Sequence, residues 1–113
     1  MNIGFTGTRQ GMSAHQLAEL RMYLRAWAPG TFHHGAAVGA DTEAARVATE
    51  LGYEIKAYPA IKGHELERNL LIVAACDRLL ATPYQDVEIL RSGTWATVRY
   101  ARKAHKTVIL LQR

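Results

Sequence analysis

The sequence lacks several features that would place it in a specialised class. Its single cysteine, Cys76, has no partner for an internal disulfide, and its apolar neighbours indicate a buried thiol in a reducing compartment. No stretch approaches the roughly 20 apolar residues that a membrane-spanning helix requires, and the N-terminus lacks a charged segment followed by an apolar one. We therefore expect a soluble, cytoplasmic protein without a membrane partner.

A metal centre and a second domain are not indicated either. The histidines show no ligand spacing, and the adjacent His33 and His34 point to opposite faces of a strand, so we predict no metal site. No repeat, linker or low-complexity segment interrupts the chain. With 113 residues and 49% hydrophobic content, residues 1–113 are expected to form a single domain. The net charge of +4 is compatible with nucleotide, nucleic acid or simple solubility.

The order of apolar runs and turn residues predicts strands that alternate with helices. Short apolar or β-branched runs predict strands, whereas apolar residues at spacings of three and four predict amphipathic helices. Ser13 and Gln16 form a capping-box pattern at the first helix, and Asp41 or Thr42 is predicted to cap the second. The predicted strands cover residues 1–6, 31–34, 54–58, 78–82 and 107–111, and the third and fourth helices cover residues 65–75 and 94–103.

This alternation predicts an α/β fold. Strands joined by helices favour right-handed crossovers, so we predict a Rossmann-like three-layer sandwich, with a five-stranded, mostly parallel sheet and helices on both faces. Ligands of such sheets bind beyond the carboxyl ends of the strands, where the strand order reverses. Glycine-containing loops follow strands one, two and four, at residues 4–9, 35–41 and 91–95. If the strand order is 3-2-1-4-5, one pocket can use all three loops.

The first loop offers groups that bind phosphate. Gly7 allows close approach of the backbone, and Thr8 and Arg9 supply a hydroxyl and a guanidinium. The loop lacks the full G-x-G-x-x-G pattern, and strand two does not end in the acidic residue that a ribose would need. An ordinary NAD dehydrogenase is therefore disfavoured. A tight turn with a surface arginine is the alternative interpretation.

The second loop contains two glycines and an acidic residue. Gly35 and Gly39 are predicted to bring backbone N–H groups close to the ligand. Asp41 either caps the following helix or accepts a hydrogen bond from a ribose hydroxyl. Both roles remain open on sequence grounds.

The third loop leads directly into a helix. Gly93 and Thr94 place backbone N–H groups at the helix start, Ser92 adds a hydroxyl, and Arg91 adds a cation, an arrangement that suits a phosphate. Ordinary helix capping by serine or threonine is the alternative. We favour phosphate binding because the arginine lies at the same point.

Three polar residues near the start of the third helix are predicted to reach over the same edge of the sheet. Arg68 adds a guanidinium and Asn69 an amide, and Glu67 precedes them. The alternative interpretation is a solvated first turn, which is common for charged residues. The sequence does not choose between the two.

Together these motifs resemble the SLOG superfamily, particularly its small, single-domain, YspA-like members from bacteria and phages. The resemblance extends over essentially the whole chain and rests on four motifs in the same order. It implies a Rossmann-like fold that binds nucleotides or ligands related to NAD and ADP-ribose, with roles in nucleotide signalling or phage conflict. The motifs lie at residues 4–9, 34–41, 67–69 and 91–95.

Two better-known branches of that superfamily imply rival functions. LONELY GUY phosphoribohydrolases cleave nucleoside monophosphates with an arginine and a glutamate; Arg68 matches the arginine, but Thr97 stands in the place of the glutamate and Asn69 in that of a lysine. A threonine cannot replace the carboxylate, so the enzymatic activity stays undecided. A carboxylate acting by another route would come from one of four acidic residues, Asp41, Glu43, Glu65 or Glu67.

The DNA-processing A branch implies binding of single-stranded DNA through a basic surface. Single-strand binders interleave stacking aromatic side chains with basic ones, whereas the aromatics here are scattered. We expect Trp95 to be buried, although stacking on a base is the alternative, and we expect Tyr58 or Tyr84 to be better placed to face a purine. Nucleic acid is therefore a less favoured partner.

The sequence thus predicts a domain that recognises a phosphorylated nucleoside or a nucleotide-derived small molecule. We expect no additional cofactor, and we expect a homo-oligomer because small sheets of this type often bury a helix face against a second copy. The catalytic candidates, if the protein is an enzyme, are Arg68, Asp41 and Glu67. The predicted ligand-binding residues are Gly7, Thr8, Arg9, Gly35, Gly39, Asp41, Arg68, Asn69, Arg91, Ser92, Gly93 and Thr94.

Overall fold

Five strands alternate with four helices along the chain. The structure is a computed structural model that describes all 113 residues. None of the helices is both long and apolar enough to cross a bilayer. The strands are β1 (Asn2–Gly7), β2 (Thr31–His34), β3 (Glu54–Ala57), β4 (Arg78–Thr82) and β5 (Thr107–Leu110), and the helices are α1 (Ala14–Trp27), α2 (Ala40–Glu50), α3 (Glu65–Ala75) and α4 (Gly93–Lys103).

The strands form one sheet in the order β3-β2-β1-β4-β5. Every neighbouring pair is parallel, so the carboxyl ends of all five strands lie at the same edge. The strand order reverses on either side of β1, which makes this edge the expected ligand position for a Rossmann-like sheet. The predicted fold class is confirmed, and the strand order is the one in which a single pocket can use all three glycine-containing loops.

Some element boundaries differ from the prediction by one residue. β1 extends through Gly7 because that residue pairs with Thr82, the last residue of β4. β3 ends at Ala57 instead of Tyr58 because Ala57 pairs with His34, where β2 ends. The partner strand thus determines where each strand ends, which a local pattern does not reveal.

One face of the sheet packs against α1 and α2. The side chains of Ile3 and Phe5 on β1 are completely buried there. Leu20 and Leu24 of α1 cover them, and Val47 of α2 belongs to the same cluster. The small residues of α2 let its backbone approach the sheet closely, which explains its alanine-rich sequence.

The opposite face packs against α3 and α4, which completes the three layers. Ile72 of α3 and Leu79 of β4 form one buried cluster with Cys76. Trp95 and Val98 of α4 pack beside it in a second. The buried positions of Cys76 and Trp95 confirm the prediction that both residues serve packing.

α1 and α2 differ in how their N-termini are capped. The predicted capping box is present at α1, where the Ser13 hydroxyl accepts from Gln16 N–H. At α2 the predicted cap by Asp41 or Thr42 is wrong: the N-cap residue is Gly39, without a side-chain hydrogen bond. The Asp41 carboxylate instead accepts from backbone N–H groups of the preceding loop, so it is not available as a cap.

Candidate functional site

The loops that follow β1, β2 and β4 meet around a cavity of about 280 Å³ at the carboxyl edge of the sheet. Most of the predicted ligand-binding residues line it, but two do not: Arg91 is exposed outside the cavity, and Gly39 lies behind the Arg9 backbone. The predicted residues that the fold brings together are Gly7, Thr8, Arg9, Gly35, Asp41, Arg68, Asn69, Ser92, Gly93 and Thr94.

The β1 loop presents an unpaired cation to the cavity. Thr8 anchors the loop, because its N–H donates to Thr82 O at 3.1 Å and its carbonyl accepts from Ala40 N–H at 3.0 Å. The next residue, Arg9, is exposed and lines the cavity. Its guanidinium takes part in none of the four ion pairs of the structure. The fold therefore holds the backbone of the loop and leaves this charge available.

The start of α4 presents backbone donors to the same cavity. Ser92 caps the helix, and its hydroxyl accepts from Trp95 N–H at 3.2 Å. The N–H groups of Gly93 and Thr94 have no partner within the chain, as expected for the first residues of a helix. A Cβ added at Gly93 would meet no atom within 4 Å, so this glycine is not required by packing. Because both residues line the cavity, these donors are available to an anion there.

The β2 loop wraps around the Asp41 carboxylate. Asp41 Oδ2 accepts from Gly35 N–H at 3.1 Å and from Ala37 N–H at 3.2 Å, and the residue is only 5% exposed. Burial raises the pKa of this carboxyl, although the Ala37 N–H and the Arg68 charge counteract part of the rise. Ala36, between the two donors, has φ of 56° in the left-handed region. Asp41 therefore holds a strained loop in place at the cavity wall.

A second guanidinium is fixed against that loop. Arg68 Nη1 donates to the Gly35 carbonyl and, at 3.2 Å, to Tyr58 O. Its Nε donates to Asn69 Oδ1 at 2.7 Å, so Asn69 orients the arginine at the cavity. A Cβ at Gly35 would overlap the guanidinium, which explains the glycine at that position. Nη2 has no hydrogen-bond partner within the chain and is available to a ligand.

The acidic candidates separate into two groups. Neither Glu43 nor Glu67 lines the cavity. Glu43 accepts from Met12 N–H at 2.7 Å, and Glu67 Oε1 lies 3.1 Å from His64 Nδ1. Asp41 and Glu65 do line it. Hydrogen bonds from backbone N–H groups lower the pKa of Glu65, so this carboxyl is ionised at neutral pH. The catalytic candidate Glu67 is therefore outside the site, whereas Arg68 and Asp41 are within it.

Thr97, which occupies the place of the LONELY GUY glutamate, does not face the cavity. It is completely buried in α4, and its hydroxyl donates to the Gly93 carbonyl at 3.0 Å. The acidic residues that line the cavity are Asp41 and Glu65, and neither belongs to α4. The Thr97 hydroxyl is therefore used within α4.

Tyr84 is the aromatic residue that presents an exposed ring to the cavity. It is 44% exposed, and the Arg113 guanidinium lies 4.5 Å from its ring centroid. Tyr58 lies outside the cavity, because its hydroxyl is hydrogen-bonded to His33 Nδ1 at 2.8 Å. Of the two tyrosines expected near a purine, the fold brings only Tyr84 to the cavity.

Sequence reasoning missed two amides that line the cavity, Gln10 and Gln85. Gln10 follows Arg9 and hydrogen-bonds to the Thr8 hydroxyl. Gln85 lies in the loop after β4, and its carbonyl accepts from the Trp95 indole at 3.3 Å. Their position just beyond strands β1 and β4 was the available signal, because the carboxyl edge of the sheet contains the ligand site.

Comparisons with known proteins support the fold. The X-ray structure of DNA processing protein A (DprA) from Streptococcus pneumoniae is similar, with a TM-score of 0.75 and 17% identity, over 96% of this chain and 49% of that chain. This chain thus spans about half the length of that protein. No protein-family model matches the sequence, and no curated protein matches it significantly. At this identity the likeness shows a shared Rossmann-like fold, as the alternation of strands and helices predicted.

Proposed function

We propose that the chain binds a phosphorylated nucleoside or a nucleotide-derived small molecule, such as a nucleoside monophosphate or an ADP-ribose-like compound, at the carboxyl edge of the sheet. One observation supports this most strongly: the unpaired Arg9 guanidinium shares a cavity with the free N–H groups of Gly93 and Thr94. Backbone donors at a helix start together with a guanidinium are complementary in charge and hydrogen bonding to a phosphate.

The hydrogen bonds that hold the site within the chain also support the proposal. Arg68 is already held by the Gly35 and Tyr58 carbonyls, so binding does not have to immobilise a long side chain. Asp41 keeps the β2 loop in place through two backbone hydrogen bonds. A site organised in this way loses little conformational entropy when a ligand binds.

Titration calorimetry with AMP and with ADP-ribose tests the proposal. Arg9→Ala is expected to weaken binding of both by about tenfold or more, because a charge-assisted hydrogen bond contributes roughly 1.5–3 kcal/mol. Arg46→Ala is the matched control, because it removes the same charge as Arg9→Ala. Arg46 is exposed on α2 and lines no part of the cavity. It should leave both affinities unchanged.

Two results would contradict the proposal. One is a folded wild-type protein that binds neither nucleotide. The other is an equal loss of affinity in the Arg9 and Arg46 variants, which would indicate attraction by net charge without a defined site. Either result would show that the cavity is not a nucleotide-binding site.

Binding of single-stranded DNA is the second candidate function. It is supported by the fold shared with a protein named for DNA processing and by the net charge of +4. Fluorescence anisotropy with an oligo-dT strand distinguishes it: DNA binding predicts an affinity that falls steeply as salt rises, because counterions are released from the strand. Our proposal predicts that the protein binds AMP or ADP-ribose more tightly than it binds oligo-dT.

Hydrolysis of the ligand by the LONELY GUY route is disfavoured. The position of the family glutamate holds the buried Thr97, whose hydroxyl is used within α4. A threonine offers no carboxylate to stabilise positive charge on the ribosyl ring. We therefore propose recognition without this reaction, and release of ribose 5-phosphate from AMP by the purified protein would contradict it.

A further inference from the structure

A second cavity of about 360 Å³ adjoins the first. The wall between them contains two cations and one carboxylate, on Arg9, Arg68 and Glu65, and each of these residues lines both cavities. Beyond this wall, the second cavity lies between the β2 loop and the segment that precedes α3, and its lining includes the apolar side chains of Val38 and Pro59. Lys62 lines the second cavity as well, and the two cavities form one groove.

Glu65 is placed to accept hydrogen bonds from a ligand. It is the first residue of α3 and is partly exposed. Its Oε1 accepts from Gly63 N–H at 3.3 Å, and the backbone N–H of Glu65 itself also acts on the carboxylate. Although the charges of Arg9 and Arg68 act on it, Glu65 forms no ion pair with either. The carboxylate thus has no cationic partner and keeps acceptor sites for a ligand at the boundary between the cavities.

The chemistry of this carboxylate excludes one kind of ligand group and favours another. An ionised carboxylate accepts hydrogen bonds and does not donate them, so it repels a phosphate and attracts hydroxyl groups. Asp41 is less suited to this role, because its Oδ2 already accepts from Gly35 and Ala37 N–H and the residue is buried. A hydroxyl-bearing group between the cavities is therefore expected to contact Glu65.

We propose that Glu65 accepts hydrogen bonds from the ribose 2′- and 3′-hydroxyls of the bound nucleotide and makes the site selective for ribonucleotides over 2′-deoxyribonucleotides. This inference rests on the proposed function. In a nucleotide the ribose lies between phosphate and base, and the groove has the same order. Gly93 and Thr94 line only the first cavity, and Glu65 is in the shared wall beside Arg9 and Arg68. In the second cavity, which also contains Lys62, the Val38 and Pro59 side chains offer an apolar surface for a base.

Titration calorimetry with AMP and 2′-dAMP on the full chain tests the inference. The wild-type protein should bind AMP about tenfold more tightly than 2′-dAMP, because removing the 2′-hydroxyl deletes one hydrogen bond to a charged acceptor. In Glu65→Ala that preference should fall to about twofold or less, mainly through a loss of affinity for AMP. Glu67→Ala should retain the wild-type preference.

Glu67 is the matched control because it lies in the same first turn of α3, carries the same charge and lines neither cavity. Thermal unfolding of both variants shows whether each is folded. Equal affinities of the wild-type protein for AMP and 2′-dAMP would overturn the ribose contact while leaving the proposed function intact. An unchanged preference in Glu65→Ala, or an equal loss in Glu67→Ala, would also overturn it. Failure of the wild-type protein to bind either nucleotide would overturn both proposals.

Discussion

Individual glycines of the site have different physical roles. A Cβ at Gly35 would overlap the Arg68 guanidinium, and a Cβ at Gly7 would overlap the side chains of Thr82 and Ala40. Gly93, in contrast, has open space around the position of a Cβ. Packing therefore requires Gly7 and Gly35 but not Gly93, whose glycine fits the proposed close approach of a phosphate to the backbone.

The contrast predicts the effect of Gly93→Ala. The variant should be as stable as the wild-type protein or more stable, because alanine is favoured over glycine in a helix by roughly 1 kcal/mol. Its affinity for AMP should decrease by about tenfold or more, since the methyl group occupies space beside the free N–H groups. Thermal unfolding and calorimetry measure the two effects.

Gly35→Ala is the comparison variant and should lose stability as well as affinity, because the added methyl group displaces the Arg68 side chain. If Gly93→Ala bound AMP as the wild-type protein does, the phosphate would not approach the start of α4. Strong destabilisation of Gly93→Ala would instead contradict the finding that a Cβ at this position meets no other atom.

Two buried histidines on β2 predict how stability depends on pH. Burial lowers the pKa of His33, with a further contribution from Lys56, and burial together with the Arg68 charge lowers the pKa of His34. The charges of Asp77 and Glu54 only partly offset this at His33. The unfolded chain therefore takes up protons first, near its ordinary histidine pKa of 6.5.

The free energy of unfolding should consequently decrease as the pH falls through 6.5 toward the lowered values of the folded protein. Urea unfolding at about pH 7.5 and at about pH 5.5 measures the change. His34→Gln should reduce the pH dependence. His105→Asn, at an exposed site with φ of 60°, should not, because asparagine tolerates that backbone conformation. Stability that stayed constant or rose over this interval would contradict the role of the buried histidines.

At the scale of the secondary-structure elements, the two serine caps separate stability from binding. Ser13 caps α1 with a complete capping box and lines no part of the cavity. Ser92 caps α4, whose first N–H groups line the cavity. The same capping chemistry therefore occurs at one helix outside the cavity and at one helix whose first residues line it.

Replacing each serine by alanine should lower the free energy of unfolding by a similar amount, about 1 kcal/mol, because each change removes one cap. Only Ser92→Ala should also weaken AMP binding, since fraying of the first turn disorders the Gly93 and Thr94 donors. Urea unfolding gives the stability and calorimetry the affinity. Equal affinities of the two variants would show that the start of α4 does not contact the ligand.

Local patterns predicted the elements more completely than their ends. The capping box of α1 was identified because Ser13 and Gln16 are three residues apart and act on each other. The cap of α2 was misassigned because Asp41 has a preferred capping side chain but bonds to Gly35 and Ala37, upstream in the loop. Propensity identifies what a residue can do, whereas the path of the loop determines which partner it meets.

At the scale of the whole molecule, the parallel sheet gathers the site from distant parts of the chain. The cavity combines residues from the loop after β1, from the start of α3 and from the start of α4. The same Rossmann-like fold occurs in DprA, although this chain covers only 49% of that protein. Because this likeness shows the fold alone, binding of a small molecule and association with a second copy stay predictions.

The strand and helix alternation, the parallel sheet and the use of its carboxyl edge all follow from patterns within the sequence, because periodicity and glycine position act over a few residues. The assignment of individual side chains depends on contacts between distant segments. Arg68 meets the Gly35 carbonyl 33 residues away, Glu65 reaches the wall shared by two cavities, and Arg91 turns out to lie outside them. Such contacts arise only when the sheet brings the loops together, so no local pattern encodes them.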